Sequence, residues 1–465
     1  MKTVASLVVM LLVLFGILTA ISGFKSAHNA SHRSPRANYL QYCASCHGQN
    51  HERFAARAWV YGNTLSEVSA TLKNGRPAIG MPEFANAMTD AEITELANYT
   101  IREVAQVPKV IPPTFQLNEV VRSLDINFKL ETVASGIPIP WGFDFLPDGT
   151  LLVTEKSGKL YSVKNGVQTA ISGLPAVVAR GQGGLMDVLV HPKFKANRTI
   201  YISFVEGNSP DKINTSIARA QLRGNKLSKV EVIYRASPLT NSGVHFGCRL
   251  FFDSNGYLYF GIGDRGKMES AQDLTNHNGK IHRIFENGSI PDDNPFVNRQ
   301  GAVKSIWSYG HRNPQGLYYD KTTHTIWENE HGPKGGDEIN VIQKGQNYGW
   351  PVVSYGINYD GTVFTNDTIQ VGMKQPFHYW MTSIGPSSLM RVSGHRYPSW
   401  NGDFLSGSLS FEHVERTLIK NNRVVGSERL MPKIGRVRNV KQGPDGYIYI
   451  SVERLGKVFR IVPID

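Results

Sequence analysis

Cysteine is nearly absent from this chain: it has three among 465 residues, Cys43, Cys46 and Cys248. Three thiols cannot form the disulfide framework of a small secreted fold or a four-thiolate zinc site. Long apolar runs are as scarce. One, from Val4 to about Phe24 behind Lys2, covers about 20 residues and is long enough to span a bilayer. No later run reaches that length, which argues against a second span. The chain also lacks a long basic block and any nucleic-acid motif, although its formal net charge is +12. Its Lys and Arg residues are scattered, as on an ordinary solvated surface. No nucleic-acid partner is expected; an anionic membrane surface or an acidic redox partner is the functional alternative.

The first apolar run exceeds most signal-peptide cores, and Ala20-Ile21-Ser22 is a passable cleavage site. Residues 1–24 therefore read as a signal peptide or membrane anchor. Everything beyond them reads as exported, in a periplasmic setting with possible attachment to the cytoplasmic membrane. Residues 25–35 are polar and read as a tether.

Cys43-Ala44-Ser45-Cys46-His47 is the c-type haem attachment pattern. Cys43 and Cys46 would form thioethers to the haem vinyl groups, and His47 would be one axial ligand to the iron. A Met suited to be the second ligand, Met81, lies in Gly80-Met81-Pro82; a His/Met pair is typical of electron-transfer haems. Thr89-Asp90-Ala91-Glu92 opens a helix as a capping box, with Ile93, Leu96, Ala97, Ile101 and Val104 at helical spacing. Met88, beside that cap, reads as packing. Residues 36–107 thus resemble a small all-α class I cytochrome c. Residues 108–125, with Val110-Ile111-Pro112-Pro113, read as a stiff linker.

The remainder, 126–465, is Gly-rich and repeats one pattern: an apolar strand, a turn, a second apolar strand. The units centre on Phe143–Val153, Asp187–Phe204, Leu250–Phe260, Leu317–Trp327, Met390–Leu405 and Pro444–Ile450. Asp-Gly and Asn-Gly between alternating apolar residues are hairpin signals. Spacings of about 45–70 residues suit four-stranded blades with inserted loops. Six units imply an all-β six-bladed propeller, and the stretch is too long for one sandwich.

In a propeller, loops far apart in sequence converge at one end of the channel, and the unusual polar clusters fall in such loops. They are Gly181-Gln182-Gly183-Gly184, His245-Phe246-Gly247-Cys248-Arg249-Leu250, Gly263-Asp264-Arg265-Gly266, Gly310-His311-Arg312-Asn313-Pro314-Gln315-Gly316, Glu330-His331-Gly332-Pro333, Asp337-Glu338-Ile339-Asn340 and Arg436-Val437-Arg438-Asn439. His245 precedes the third hairpin and Asp264 closes it, so both leave from the same end. An Asp beside a His orients the ring for general-base work. Cys248 reads as a small buried hydrophobe.

Taken in order with Asn347-Tyr348-Gly349-Trp350-Pro351, these motifs make 126–465 resemble the soluble aldose (glucose/sorbosone-type) dehydrogenases that use pyrroloquinoline quinone, PQQ. The resemblance implies that His245 takes the proton from the sugar C1 hydroxyl while hydride moves to the quinone, with Asp264 orienting it. Arg312 and Asn313 are implied at the quinone oxygens, and Gln182, Arg436 and Arg438 as further PQQ contacts. The carbonyls of Gly332 and Pro333 are implied ligands of a Ca²⁺ that touches PQQ. Glu338 and the Tyr348 carbonyl are implied ligands of a second, structural Ca²⁺. One position departs from the pattern: Ser410, in Gly407-Ser408-Leu409-Ser410, stands where relatives often carry Lys. Arg416 is the candidate replacement cation.

The combined expectation is a quinohaemoprotein that oxidises an aldose to its lactone and passes electrons through haem c to a cytochrome or oxidase. The alternatives are a cytochrome fused to a propeller that only binds, and a PQQ dehydrogenase of a non-sugar alcohol or aldehyde.

Overall fold

The computed structural model describes residues 33–47, 51, 62–76, 81–106, 119–209 and 211–464. The apolar segment 1–24, most of the tether and residues 108–118 of the linker lie outside them, as does the Cys46 side chain. Among the described residues no helix is long and apolar enough to cross a membrane.

The described residues between 33 and 106 form a helical unit. The helix Leu65–Asn74 starts at a capping box, Thr64 with Glu67. The helix Asp90–Gln106 starts at the expected one: the Glu92 carboxylate accepts from Thr89 N at 2.9 Å, and Thr89 Oγ1 accepts from Glu92 N at 3.3 Å. Val68 and Leu72 of the first helix and Ile93, Leu96 and Ala97 of the second close on Tyr39, Tyr42, Cys43, Phe84 and Met88.

The rest is a six-bladed propeller. Its blades are Pro140–Phe145 through Val167–Ile171, Leu185–Val190 through Lys226–Arg235, Leu250–Phe252 through Ile306–Tyr309, Pro314–Asp320 through His378–Trp380, and Pro386–Arg391 through Arg423–Leu430, each of four antiparallel strands. The sixth joins Val437–Gln442, Ile448–Val452 and Lys457–Ile464 to the early strands Asn127–Ala134 and Val121–Arg122. The pairs Lys129↔Val462 and Leu130↔Ile461 tie the start of the domain to its end. The innermost strands contact one another around the complete ring.

Each of the six apolar hairpins in the sequence forms the inner part of a blade. Alternation turns one set of side chains to each face, and neighbouring blades bury them against each other. Leu152, Leu185, Ile200 and Phe204 pack between the first two blades, for example. Each such fully buried side chain contributes about 1.5–3 kcal/mol of transfer free energy. The channel is plugged by Arg249. Its guanidinium donates to Asp187 Oδ1 at 2.9 Å, Ser387 O at 3.1 Å and Arg438 O at 3.3 Å, and lies over the Trp141 ring. One cation therefore ties four blades together. Cys248, beside it, is fully buried, and burial pushes its thiol pKa up.

Candidate functional site

The third hairpin brings its two ends together as the motifs imply. His245 Nδ1 lies 2.6 Å from Asp264 Oδ1. Asp264 is also held by Gly266 N at 2.7 Å and, through Oδ2, by Trp350 Nε1 at 2.8 Å. A carboxylate so placed accepts from Nδ1–H, which leaves His245 Nε2 as the proton acceptor. The His245 side chain is 12 % exposed and that of Asp264 1 %. Burial, with the nearby Arg312 charge, lowers the His245 pKa, and Asp264 opposes the shift. Burial alone would raise the Asp264 carboxyl, but His245, Arg312 and the Gly266 N–H outweigh it and hold it low. The pair at neutral pH is a neutral imidazole on a carboxylate.

His245 occupies left-handed backbone, φ +55°, an uncommon conformation for a residue with a Cβ. Two groups hold it there. Gln182 Oε1 accepts from His245 N at 2.8 Å. Arg265 donates to the carbonyls of Val244 and, at 2.5 Å, Ser242, and its guanidinium stacks 3.4 Å from the Phe246 ring centroid. Arg265 was not singled out in the sequence; its own role is to clamp the segment that carries His245.

Beside this pair is a cavity of about 130 Å³ whose walls include Gln182, Phe246, Gly247, Gln315, His331, Gly332, Tyr359, Ser410, Arg436 and Arg438. His245, Asp264, Arg312 and Asn313 are not wall residues but are bonded to that wall. Gln182 holds His245, Asn313 Oδ1 accepts from Gly247 N at 3.3 Å, and Arg312 Nη1 donates to Gly332 O at 2.7 Å. Glu330 Oε2 accepts from the backbone of Arg312 and Asn313, at 2.6 and 3.1 Å, and sets their direction. Arg436 and Arg438 share Glu453, with contacts of 2.8 and 2.6 Å. Burial would raise Glu453, yet the two guanidiniums hold it down at about 2.

Two residues, one in the wall and one beside it, have roles that the sequence reading did not assign. His331 donates from Nε2 to Pro386 O at 2.8 Å and accepts at Nδ1 from Asn313 Nδ2 at 3.2 Å. Burial, with Arg312 close by, drives its pKa well down, so it stays neutral. Lys156, in the turn after Leu151–Glu155, is bonded to Gly181 O and lies near Arg438 and Arg436. Burial first, and those guanidiniums second, lower its pKa. Ser410 is in the cavity wall, so a lysine there would have entered the cavity. Arg416 does not replace it. Asp125 at 2.5 Å, Asp403 at 2.8 Å and Glu428 at 3.0 Å hold its guanidinium outside the cavity wall.

Glu338 sits in a buried acidic cluster. The register pairs Glu330 with Glu338 and Glu328 with Asn340, placing all four on one face of the fourth blade. Asn340 Nδ2 reaches Glu328, Glu330 and Glu338 at 3.1, 3.4 and 3.2 Å. Glu328 is wholly buried, and neither its Oε1 nor Asn340 Oδ1 has a protein partner. Burial, then the Glu330 charge, pushes the Glu328 and Glu338 carboxyls well up. A set of hard oxygens with two left over fits a Ca²⁺-type ion. The Tyr348 ring stacks on His311, which also contacts Glu330, so Tyr348 adjoins the same cluster. The Gly332 and Pro333 carbonyls accept from Arg312 at 2.7 Å and from Ser383 Oγ at 3.2 Å. Each retains a second lone pair for a cation.

In the helical unit, Cys43 is buried on the Tyr39, Val68, Leu72 and Phe84 core, His47 is half-buried, and Met81 packs half-buried against the same cluster. Arg76 and Met81 exchange backbone bonds of 2.7 and 3.1 Å, which fixes the Met81 backbone. Met88 is inside the core, as its position beside the cap suggested.

A buried His–Asp pair beside an arginine-walled cavity, at one end of a six-bladed propeller, defines an oxidoreductase of the quinone-dependent sugar-dehydrogenase class. Residues 137–460 match the family described as Glucose / Sorbosone dehydrogenase, and the chain belongs to this PQQ-dependent family. Residues 30–99 match Cytochrome C oxidase, cbb3-type, subunit III, which makes the N-terminal unit a cytochrome c domain. Among curated relatives, the Escherichia coli aldose sugar dehydrogenase YliI is 37% identical over 361 residues, 76% of this chain and 97% of its own length. Quinoprotein glucose dehydrogenase B of Acinetobacter calcoaceticus is 33% identical over 269 residues, 52% of this chain and 56% of its own. The crystal structure of the soluble E. coli aldose sugar dehydrogenase in its apo-form superposes with TM-score 0.70 at 36% identity, covering 72% of this chain and 100% of that one. The PQQ-bound aldose sugar dehydrogenase of Streptomyces coelicolor gives 0.60 at 25% identity, covering 72% and 98%.

Proposed function

We propose that this chain is a quinohaemoprotein aldose dehydrogenase, exported to the periplasm and held at the membrane by its N-terminal segment. The observation that carries the reading is the 2.6 Å His245–Asp264 pair beside a cavity walled by Gln182, Arg436 and Arg438. PQQ, when bound in that cavity, supplies a two-electron hydride acceptor. The residues present suit it, because a tricarboxylate needs cationic forks and Arg436 and Arg438, with Lys156 nearby, outnumber Glu453.

His245 Nε2 takes the proton of the anomeric hydroxyl as the C1 hydrogen leaves as hydride, giving the lactone. Asp264 keeps the ring in the tautomer that can accept, and stabilises the imidazolium that forms. Arg312, fixed by Glu330 and stacked near Trp350, favours negative charge developing at the acceptor oxygens, and Asn313 donates beside it. Gly332 and Pro333 would supply carbonyls to the Ca²⁺ that adjoins the cofactor. Glu338, with Glu328 and Glu330, would hold the second Ca²⁺, together with the Tyr348 carbonyl. Haem c on Cys43 and Cys46, with His47 and Met81 as axial ligands, would deliver the electrons singly to a respiratory cytochrome or oxidase.

The test is reconstitution of the apo-protein with PQQ and Ca²⁺, followed by candidate sugars, with haem absorption as the readout. Haem reduction that needs both PQQ and an aldose supports the proposal. Intact haem with no PQQ binding at all sinks it.

A further inference from the structure

The cytochrome unit does not hang free of the propeller at its haem-bearing end. Residues 358–362 form a tight turn in the fourth blade, closed by Gly361 N to Asn358 O at 2.9 Å and Asn358 N to Thr362 O at 3.0 Å. Tyr359, in this turn, is part of the cavity wall. Two residues on, Gly361 faces the cytochrome unit. A Cβ at Gly361 would stand 2.9 Å from Gln41 Nε2 and 3.0 Å from Tyr42 Cε1. The backbone there is also left-handed, φ +88°.

A second strand of chain reaches the same spot. Lys334 follows Gly332 and Pro333 and pairs with Ile357, through bonds of 2.9 and 3.1 Å. Its ammonium lies 5.7 Å from the centre of the Tyr42 ring, within reach of a cation–π contact. On the cytochrome side, Arg33 donates to Gln41 Oε1 at 2.7 Å and to Tyr42 Oη at 2.9 Å, which aims both side chains at the turn. Tyr42 is 6 % exposed and immediately precedes Cys43.

We propose that the 358–362 turn is the docking surface through which the cytochrome unit collects electrons from the cavity, with Gln41 and Tyr42 seated on Gly361. The inference rests on the function proposed above and adds the contact that the transfer uses. Each turnover removes a hydride from C1 and a proton from its hydroxyl, two electrons and two protons in all, from one sugar. The protons pass to solvent. The electrons reduce ferric haem to ferrous twice in succession, an external one-electron acceptor reoxidising it between transfers. The covalent link raises the encounter rate, but a seated contact also fixes the separation. The chain from Tyr359 to Gly361, then Tyr42 to Cys43, is the short bridge between cavity wall and haem attachment. Glycine suits 361 twice over: the backbone is left-handed, and a Cβ there would crowd the Gln41 side chain and the Tyr42 ring.

The experiment uses full-length, haem-loaded protein with PQQ and Ca²⁺, carrying Gly361→Leu or, on the cytochrome side, Gln41→Trp. Sugar-driven reduction of a small soluble dye should stay near wild type, while sugar-driven haem reduction slows by about tenfold or more as the seated encounter is lost. Independently of PQQ, hydrogen exchange of the 40–44 segment should rise in both variants. Wild-type haem reduction together with unchanged exchange in both variants overturns the docking surface. Should Gly361→Leu lose dye reduction too, Gln41→Trp, which leaves the propeller sequence intact, decides. A wild-type protein that cannot reduce the dye with sugar defeats the proposed function instead, and the exchange measurement alone then decides the contact.

Discussion

Asp264 binds His245 and Trp350 at once, accepting from Nδ1 at 2.6 Å through one oxygen and from Nε1 at 2.8 Å through the other. The carboxylate cannot rotate without breaking one bond, so the imidazole it holds is fixed with Nδ1 on the carboxylate and Nε2 left as the acceptor. His245→Ala is expected to cut sugar-driven haem reduction by about 10²–10⁴-fold, the usual contribution of a positioned base. Reduction of the haem by dithionite should be unchanged. A variant that still turns over at the wild-type rate removes His245 from the role of base.

The pH profile follows from the direction of the His245 shift. Burial and Arg312 lower its pKa below the ordinary imidazole value of 6.5. The base is active when neutral, so sugar oxidation should rise with pH along a limb that lies below 6.5 and then level off. Asp264 is the group that opposes the shift. Asp264→Asn should therefore move the limb further to the acid side while lowering the plateau, since the tautomer is no longer imposed. A limb that moves upward in Asp264→Asn contradicts the assignment.

Arg438 and Arg436 share one carboxylate, Glu453, which is 7 % exposed. Arg438→Ala should weaken PQQ binding and also destabilise the fold, because a buried charge that loses a partner costs about 3–5 kcal/mol at the upper end. Arg436 remains to offset part of that. Calorimetric titration with PQQ and a thermal melt of the apo-protein separate the two effects.

Ser410 faces the cavity. Ser410→Lys places a cation where the wall has a hydroxyl, and a hydrogen bond to a charged group adds about 1.5–3 kcal/mol. PQQ affinity should rise accordingly, by about tenfold to a hundredfold. Unchanged affinity would mean that Lys156 and the arginines already satisfy the cofactor carboxylates.

Glu328, Glu330 and Glu338 crowd one face of the fourth blade with Asn340, and Glu328 Oε1 and Asn340 Oδ1 are left without a protein partner. Calcium should therefore stabilise the protein, by about 2.7 kcal/mol at a concentration a hundred times its dissociation constant. A chelator should lower the melting temperature, and the Ca²⁺-dependent part of the melt should vanish in Glu338→Ala. Melting that ignores both calcium and chelator rules out a cation in this cluster.

The inner hairpins were legible because their signals are local. An Asp-Gly turn such as Asp148-Gly149 and the alternation of Leu151 and Val153 with their neighbours act over a few residues, whatever the rest of the chain does. The outer strands were not: Arg423–Leu430 is mostly exposed and polar and borrows its order from its neighbour. The same division runs through the site. His245, Asp264 and Arg312 stand in distinctive motifs. Arg265 and His331 stand in such motifs too, but their roles, like that of Lys156, come from what they touch, and Arg416, a plausible cation in sequence, is held elsewhere by three carboxylates.

By itself the sequence determined the haem motif, the number of blades, the family and the residue types of the site. It did so because attachment chemistry, turn geometry and strand alternation are properties of short segments. Only the tertiary structure decided that Gln182 holds His245 across 63 residues, that Arg249 plugs the channel by reaching Arg438 across 189, and that Tyr42 meets Gly361. The first two contacts belong to the ring closed through Asn127–Ala134 and Lys457–Ile464, and the third to the seating of the helical unit on the fourth blade. Ring closure is a global packing solution, and it sets distances that no short stretch of chain encodes.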